Sequence, residues 1–265
     1  MIYFLIVLLF VFGLILGSFF GVILYRFGQQ DQSWLRGRSC CDHCGRPIPW
    51  HDNIPLLSYV LLKGKARCCG QTIERLYPVL ELASGVFTAG CGWILFSFYQ
   101  LTWVQFCFWL MTLLVMYLIL LFDWLYMIIP DELVIVLLVM AGVYQTSTLL
   151  SAQSSWAELV NTSLVLIVVE VIFIGLWLIT NKKGFGLGDV KLAAPLILLM
   201  GFPGAIVGVF LAFIIGSVWG ILLILLKKKR LKQKVPFAPF LIIGSWLALL
   251  VGESLWTWYW QTLLF

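Results

Sequence analysis

Charge is what this sequence has least of. Asp, Glu, Lys and Arg supply only 11% of the 265 residues, against 62% hydrophobic ones, and mean hydropathy is +1.04. That balance excludes a soluble domain with one large core and points to a chain that crosses a membrane several times. Histidine is scarcer still. His43 and His51 are the only two and share one polar loop, so a histidine-based protease mechanism at membrane depth has little support. A cleavable signal is also missing, because residues 1–25 are apolar from the second position, lack a basic n-region and run straight into Arg26. They read as a retained signal anchor.

Basic residues are absent from most of the chain, and where they do occur is informative. All 17 fall between Arg26 and Arg75, Lys182 and Lys191, or Lys227 and Lys234. The positive-inside rule makes those three segments cytoplasmic. Lys227-Lys228-Lys229-Arg230 then reads as a topogenic, headgroup-facing cluster, with no nucleic acid required. The 13 Trp suit interfacial belts without a cofactor.

Read against the ~20 residues that cross a hydrocarbon core, the apolar runs give about eight spans, near 2–25, 79–98, 101–122, 133–150, 159–180, 192–200, 205–226 and 240–260. The expected fold is an all-α polytopic membrane protein with a small Cys-containing cytoplasmic loop domain between its first and second spans. Three parts follow: a first transmembrane helix (1–25), a Cys-rich loop (26–78) and a membrane-embedded helical domain (79–265). The sixth span is short and broken at Gly201-Phe202-Pro203-Gly204, as expected of a tilted or half-length helix packed among others. Small residues at Gly13, Gly17, Ser18 and Gly21, and again at Ala205, Gly208, Ala212 and Gly216, suit close helix packing in lipid.

Against this background two carboxylates stand out. Asp123 closes the third apolar run, and Asp189 lies in the glycine-rich patch Gly184-Phe185-Gly186-Leu187-Gly188-Asp189-Val190-Lys191. An ionisable group beside membrane-depth sequence costs roughly 2.5–3.5 kcal/mol on insertion scales if it sits at a helix centre, so it reads as functional by default. The plainer alternative for Asp189 is a turn with a helix-capping side chain. The glycines allow positive φ or a close approach of another segment. The fourth and fifth spans form a hairpin between the two acids and return both to one membrane face. There they can form a dyad in which one carboxylate activates water and the other protonates the substrate carbonyl. Glu81 and Glu170 are the other acids near membrane depth, and Glu170 has no assigned role.

The loop 26–77 holds Cys40, Cys41, Cys44, Cys68 and Cys69. In a cytoplasmic segment clustered thiols argue for a metal more than for disulfides. Cys41-Asp42-His43-Cys44-Gly45 is one zinc-knuckle half. The second half is irregular, Ala66-Arg67-Cys68-Cys69-Gly70, with Ala66 where a C-x-x-C would place its first cysteine. Cys40, Cys68, His43 or His51 are the choices for the remaining ligand, and Cys68 is preferred by proximity, giving Zn2+ on Cys41, Cys44, Cys68 and Cys69. Reduced thiols without metal are the alternative.

Several motifs, in this order, resemble the bacterial type IV prepilin peptidases, the leader peptidase/N-methyltransferase family of G-x-G-D membrane aspartic proteases. They are Gly17-Ser18-Phe19 with Arg26, the C-x-x-C loop, Asp52-Asn53-Ile54-Pro55, and Arg75-Leu76-Tyr77-Pro78 with Glu81. After these come Asp123 with Ile129-Pro130-Asp131, Gly186-Leu187-Gly188-Asp189 with Lys191, and Pro236-Phe237-Ala238-Pro239-Phe240. The resemblance implies a bacterial inner-membrane endopeptidase with Asp123 and Asp189 catalytic, supported by Gly186, Gly188, Lys191, Pro130 and Asp131. It implies prepilin or pseudopilin substrates of type IV pili or type II secretion, cut at the cytoplasmic face. It also implies methylation of the new N-terminus from S-adenosylmethionine. Ala66, Leu125 and Ala238 depart from the family pattern. Asp131 reads as the N-cap of the fourth span. Rival readings are a G-x-G-D intramembrane protease with other membrane substrates, and a non-catalytic transporter or assembly scaffold.

Overall fold

The computed structural model describes residues 2–28, 39–99, 101–151, 153–180, 185–226 and 235–263. Lys182, Lys183 and the basic run at 227–234, on which much of the orientation reading depends, lie outside these. The described helices are α1 (Ile2–Gly28), α2 (Leu57–Leu61), α3 (Leu76–Phe98), α4 (Trp103–Tyr126), α5 (Asp131–Leu150), α6 (Trp156–Ile179), α7 (Leu187–Met200), α8 (Gly204–Leu225) and α9 (Ala238–Leu263). Among the described residues there is no extended strand, and seven helices are long and apolar enough to cross a membrane. Their outward faces carry large exposed apolar side chains such as Val7, Phe12, Ile167, Val171, Phe210 and Val218, which lipid must cover.

The chain forms two compact units, Met1–Leu114 and Val115–Phe265. In the first, α1 packs along α3, and glycine makes the close approach possible. A methyl on Gly17 would lie 2.6 Å from the Glu81 Cα, and one on Gly13 would lie 2.6 Å from the Ser84 carbonyl oxygen. The polar loop between them folds into two knuckle-like turns, the 3-10 turn Trp50–Asn53 and α2.

In the second unit α7 is the centre. At 14 residues it is about 21 Å long, short of the ~30 Å hydrocarbon core, and this is the half-length sixth span expected from its interruption. Leu192, Ala193, Leu196, Ile197 and Leu199 are essentially inaccessible, because α5, α6, α8 and α9 all pack on this one helix. A helix that stops inside the membrane must satisfy its last carbonyls locally. Gly201, at φ +65°, turns the chain and donates to the Ile197 carbonyl, while Gln145 Nε2 on α5 donates to the Leu198 carbonyl at 2.6 Å. Just beyond, the Thr162 hydroxyl on α6 accepts from the Phe202 N–H at 3.0 Å.

The remaining helices have ordinary causes. α6 starts at a complete capping box, in which the Ser155 hydroxyl accepts from the Glu158 N–H and the Glu158 carboxylate accepts from the Ser155 N–H. α8 and α9 pack closely through small residues, and a methyl on Gly244 would lie 2.5 Å from the Gly208 carbonyl oxygen.

Candidate active site

Asp123 lies in the last turn of α4, which runs on to Tyr126. Met127, at φ +54°, closes that turn by donating to the Asp123 carbonyl. Asp189 is the third residue of α7, and its N–H donates to the Gly186 carbonyl at 3.2 Å. Both side chains are buried in a chain where few charges are, Asp123 at 5% exposure and Asp189 at 7%. Both face the start of α9, where the backbone N–H of Ala238 donates to each carboxylate, and Asp189 lies within reach of the Asp123 charge. The Gly186 N–H also donates to Asp189. Asp123 Oδ2 is buried with no hydrogen-bond partner among the described residues.

The glycines act by proximity and not by unusual backbone angles. Gly186 is extended, at φ −80° and ψ 138°, and a methyl there would lie 2.9 Å from Asp189 Oδ2. Gly188 is helical, and a methyl there would lie 3.1 Å from the Ile129 side chain. The N-terminus of α7 therefore seats on the segment that leads into α5.

Asp131 corrects the sequence expectation. α5 begins at Asp131 itself, its N-cap position is Pro130, and no side chain caps it. The Asp131 carboxylate instead receives Lys191 Nζ on both oxygens, at 2.8 and 2.9 Å, which ties α5 to α7 two residues beyond Asp189. Asp131 lies one position past the cap, inside the first turn, so its carboxylate is left to pair with an ammonium on another helix.

The sequence pattern also missed a ring cluster. Phe173, buried on α6, meets Phe185 at 4.9 Å between ring centres, and Phe185 and Phe237 stand at 5.5 Å. Phe213 on α8 meets Phe237 at 5.2 Å. These rings hold both the residues ahead of Asp189 and the residue ahead of the Ala238 donor. Pro236-Phe237-Ala238-Pro239-Phe240 was the available signal, since a proline near a helix start marks where free N–H groups point. Glu170 Oε1 on α6 is likewise buried and unpartnered among the described residues.

The first unit contains the cysteine cluster. Cys41, Cys44, Cys68 and Cys69 place their sulfurs within 4.8 Å of one another, with Cys41 to Cys69 at 3.7 Å and Cys44 to Cys68 at 3.2 Å. Four thiolates around a tetrahedral ion at ~2.3 Å stand about 3.8 Å apart, so the set fits zinc. The backbone explains how the irregular half still contributes two sulfurs. Gly45 donates to Cys41 and Cys41 to Arg46, while Gly70 donates to Ala66 and Ala66 to Gln71. The two turns are the same turn, closed by Gly45 and Gly70 at φ +69° and +71°. Ala66 occupies the place of Cys41, and Cys68 brings in the fourth sulfur from one position before Cys69. His43 Nε2 faces the Thr72 carbonyl at 3.2 Å, outside the set. Burial opposes charge on Cys41, but the N–H groups of Cys44 and His43 and the thiols of Cys68 and Cys44 outweigh it and hold Cys41 near a pKa of about 6. Cys68 is pushed up to about 12, chiefly by Cys44 and then by Cys41.

Comparison with known proteins fits this geometry. Residues 11–95 match the family model described as the bacterial peptidase A24 N-terminal domain, and residues 106–221 match the type IV leader peptidase family. Proteins named prepilin leader peptidase/N-methyltransferase align over nearly the whole chain. The one from Aeromonas hydrophila is 31% identical over 95% of this chain and 92% of its own, and the one from Bacillus subtilis is 30% identical over 95% and 96%. The chain belongs to the type IV leader peptidase family. It is therefore a multi-pass membrane peptidase, which sets aside the transporter or scaffold reading. A similar protein from Pseudomonas aeruginosa, 29% identical over 92% of this chain and 89% of its own, carries the same name. No solved structure matches this leader peptidase at a significant level.

Proposed function

We propose that this leader peptidase removes the leader of a type IV prepilin or pseudopilin at the cytoplasmic face of the bacterial inner membrane, with Asp123 and Asp189 as the catalytic pair. The observation that supports this most is the meeting of two buried carboxylates at one N–H donor. In this reading the ionised carboxylate takes a proton from water, whose oxygen attacks the scissile carbonyl carbon. The protonated partner gives its proton to the carbonyl oxygen. The tetrahedral intermediate then collapses: its C–N bond breaks, the amine leaves with the proton taken from water, and one hydroxyl proton returns to the other aspartate as the carbonyl re-forms, with no acyl-enzyme. A substrate whose apolar helix lies in lipid and whose leader is in the cytoplasm presents the bond at that surface.

The new N-terminal amine is then methylated, as the relatives' names suggest, with S-adenosylmethionine supplying an electrophilic methyl on a sulfonium. Cys41, Cys44, Cys68 and Cys69 would hold Zn2+ as a closed four-thiolate site. With no open position, that ion would brace the loop and take no part in chemistry. Gly186, Gly188, Pro130, Asp131 and Lys191 keep the ends of α5 and α7 in register with the dyad.

The test is Asp123→Asn and Asp189→Asn in the full chain, purified in detergent and incubated with a prepilin. Each is expected to leave the precursor uncut while inserting and purifying like wild type. Leader removal by either variant at a rate near wild type refutes the dyad.

A further inference from the structure

We propose that the polar loop of the first unit dips into the bilayer, and that Leu57, Val60 and Leu61 of α2 form a face that rests on lipid at the membrane surface. The three stand at i, i+3 and i+4, so they share one side of the helix. All are exposed, Leu61 at 70%.

Position decides what covers this face. Leu56, the residue ahead of α2, donates its N–H to Glu81 Oε2 at 2.8 Å, and the Ser18 side chain of α1 bonds the same carboxylate. Glu81 is the sixth residue of α3, about 7.5 Å along the helix axis from Leu76. At 23 residues α3 is about 34 Å long, so centring it on a ~30 Å hydrocarbon core puts Glu81 about 5 Å inside the hydrocarbon. α2 therefore starts below the membrane surface. The segment ahead of it agrees, since Asn53, Ile54 and Pro55 share a cleft of about 510 Å3 with the flank of α1 from Val11 to Val22, an apolar stretch of a spanning helix.

The backbone is equipped for that depth, where each N–H needs a partner within the protein. Ile54 donates to the Ser58 hydroxyl and Leu56 to Glu81, while Ser58, Val60 and Leu62 donate to the carbonyls of Ile54, Leu56 and Ser58. Leu56 stands at φ +58°, a conformation that a leucine adopts only under constraint, and it turns the chain from Pro55 into α2. Glu81, buried in a spanning helix, thus has a use apart from peptide cleavage: it satisfies the N–H of that turn.

The flanks suit a lipid surface. Lys63 and Lys65 follow α2 directly and are exposed, so their stems run beside the apolar face while their ammonium groups reach anionic headgroups. Trp50, 81% exposed, belongs to the 3-10 turn that the Ser58 hydroxyl ties to α2 through the His51 carbonyl, and tryptophan favours the headgroup level. The tether to α3 keeps the bilayer within reach of this face at all times, as it would no peptide.

The test replaces one exposed residue at a time in the full chain with the fluorescent residue dansylalanine: Leu57, Leu61, Arg46 in the first knuckle turn, and Val86 on α3. Each protein is reconstituted in nanodiscs of phosphatidylethanolamine and phosphatidylglycerol, with and without acyl chains brominated near the carbonyl end. Without prepilin, the probes at positions 57 and 61 are expected to lose at least half of their emission to the bromines, as the probe at 86 does, while the probe at 46 keeps nearly all of its own. Emission at 57 and 61 that matches position 46 while position 86 is quenched overturns the proposal. So do probes at 57 and 61 that the bromines leave unquenched but whose emission shifts to the blue when a prepilin is added, which would make the face a peptide site.

Discussion

Breaking the Lys191–Asp131 pair tests whether it positions the site or takes part in the chemistry. Lys191 is 44% exposed and Asp131 63% exposed at the side chain, so the pair works in a solvent-screened setting despite its 2.8 Å contact. Exposed ion pairs contribute about 0.2–1 kcal/mol, and a tenfold rate change needs about 1.4 kcal/mol. If the pair only holds α7 against α5, then Lys191→Met or Asp131→Asn lowers kcat about 1.4- to fivefold and leaves KM nearly unchanged. The exchanged double variant, Asp131→Lys with Lys191→Asp, restores the contact but puts a cation in the first turn of α5, which costs about 0.3–1 kcal/mol. Partial recovery is therefore the expected result, read as a coupling free energy from the four-member cycle. The assay is single-turnover leader cleavage on detergent-purified enzyme, with thermal unfolding of each variant alongside. A hundredfold loss in either single variant with no recovery in the exchange would refute a positioning role, because a screened pair cannot supply that much.

Ala238→Pro removes the N–H that both aspartates accept, at a helix-start position where proline is tolerated, and Ala238→Gly keeps it. A hydrogen bond to a charged group is worth about 1.5–3 kcal/mol, so the proline variant is expected to cleave at least tenfold more slowly and the glycine variant near wild type, measured as kcat. Equal activity in the two would remove Ala238 from the site. Zinc content by plasma mass spectrometry is expected to fall in Cys68→Ala and to return when Ala66→Cys is added, because the Ala66 turn duplicates the Cys41 turn; a double variant that stays empty would refute that equivalence. Gly244→Leu pushes a side chain into the backbone of α8, where even a methyl would lie 2.5 Å from Gly208 O, and is expected to cost several kcal/mol, seen as a lowered Tm or loss of extractable protein. A Tm equal to wild type would mean that α8 and α9 can separate there freely.

What was legible in the sequence was whatever interrupts an apolar pattern. Asp123, Asp189, the cysteine loop and the broken sixth span each depart from uninterrupted hydrophobicity, and each turned out to be where a turn, a cluster or a short helix is. The pairings of backbone groups could not be read. Ala238 gives no side-chain sign that its N–H faces two carboxylates, and the Leu56 N–H gives none that it holds Glu81. Nor could the partner of Asp131 be read, since its place at the head of α5 suited a cap and Lys191 lies 60 positions on. Cys68 was chosen by nearness alone, and the physical reason for it, a repeated turn with its sulfur arriving one residue out of step, emerged only from the backbone hydrogen bonds.

That displaced sulfur bears on how such loops are recognised. Spacing is a proxy for a cage of four donors, and here two different spacings build the same cage around two copies of one turn. A rule that demands C-x-x-C twice would pass over the second half of this loop. A rule that asks which side chains a glycine-closed turn can deliver to a common centre would keep it, and would admit further solutions in which the donor migrates along the chain while the centre stays where it is.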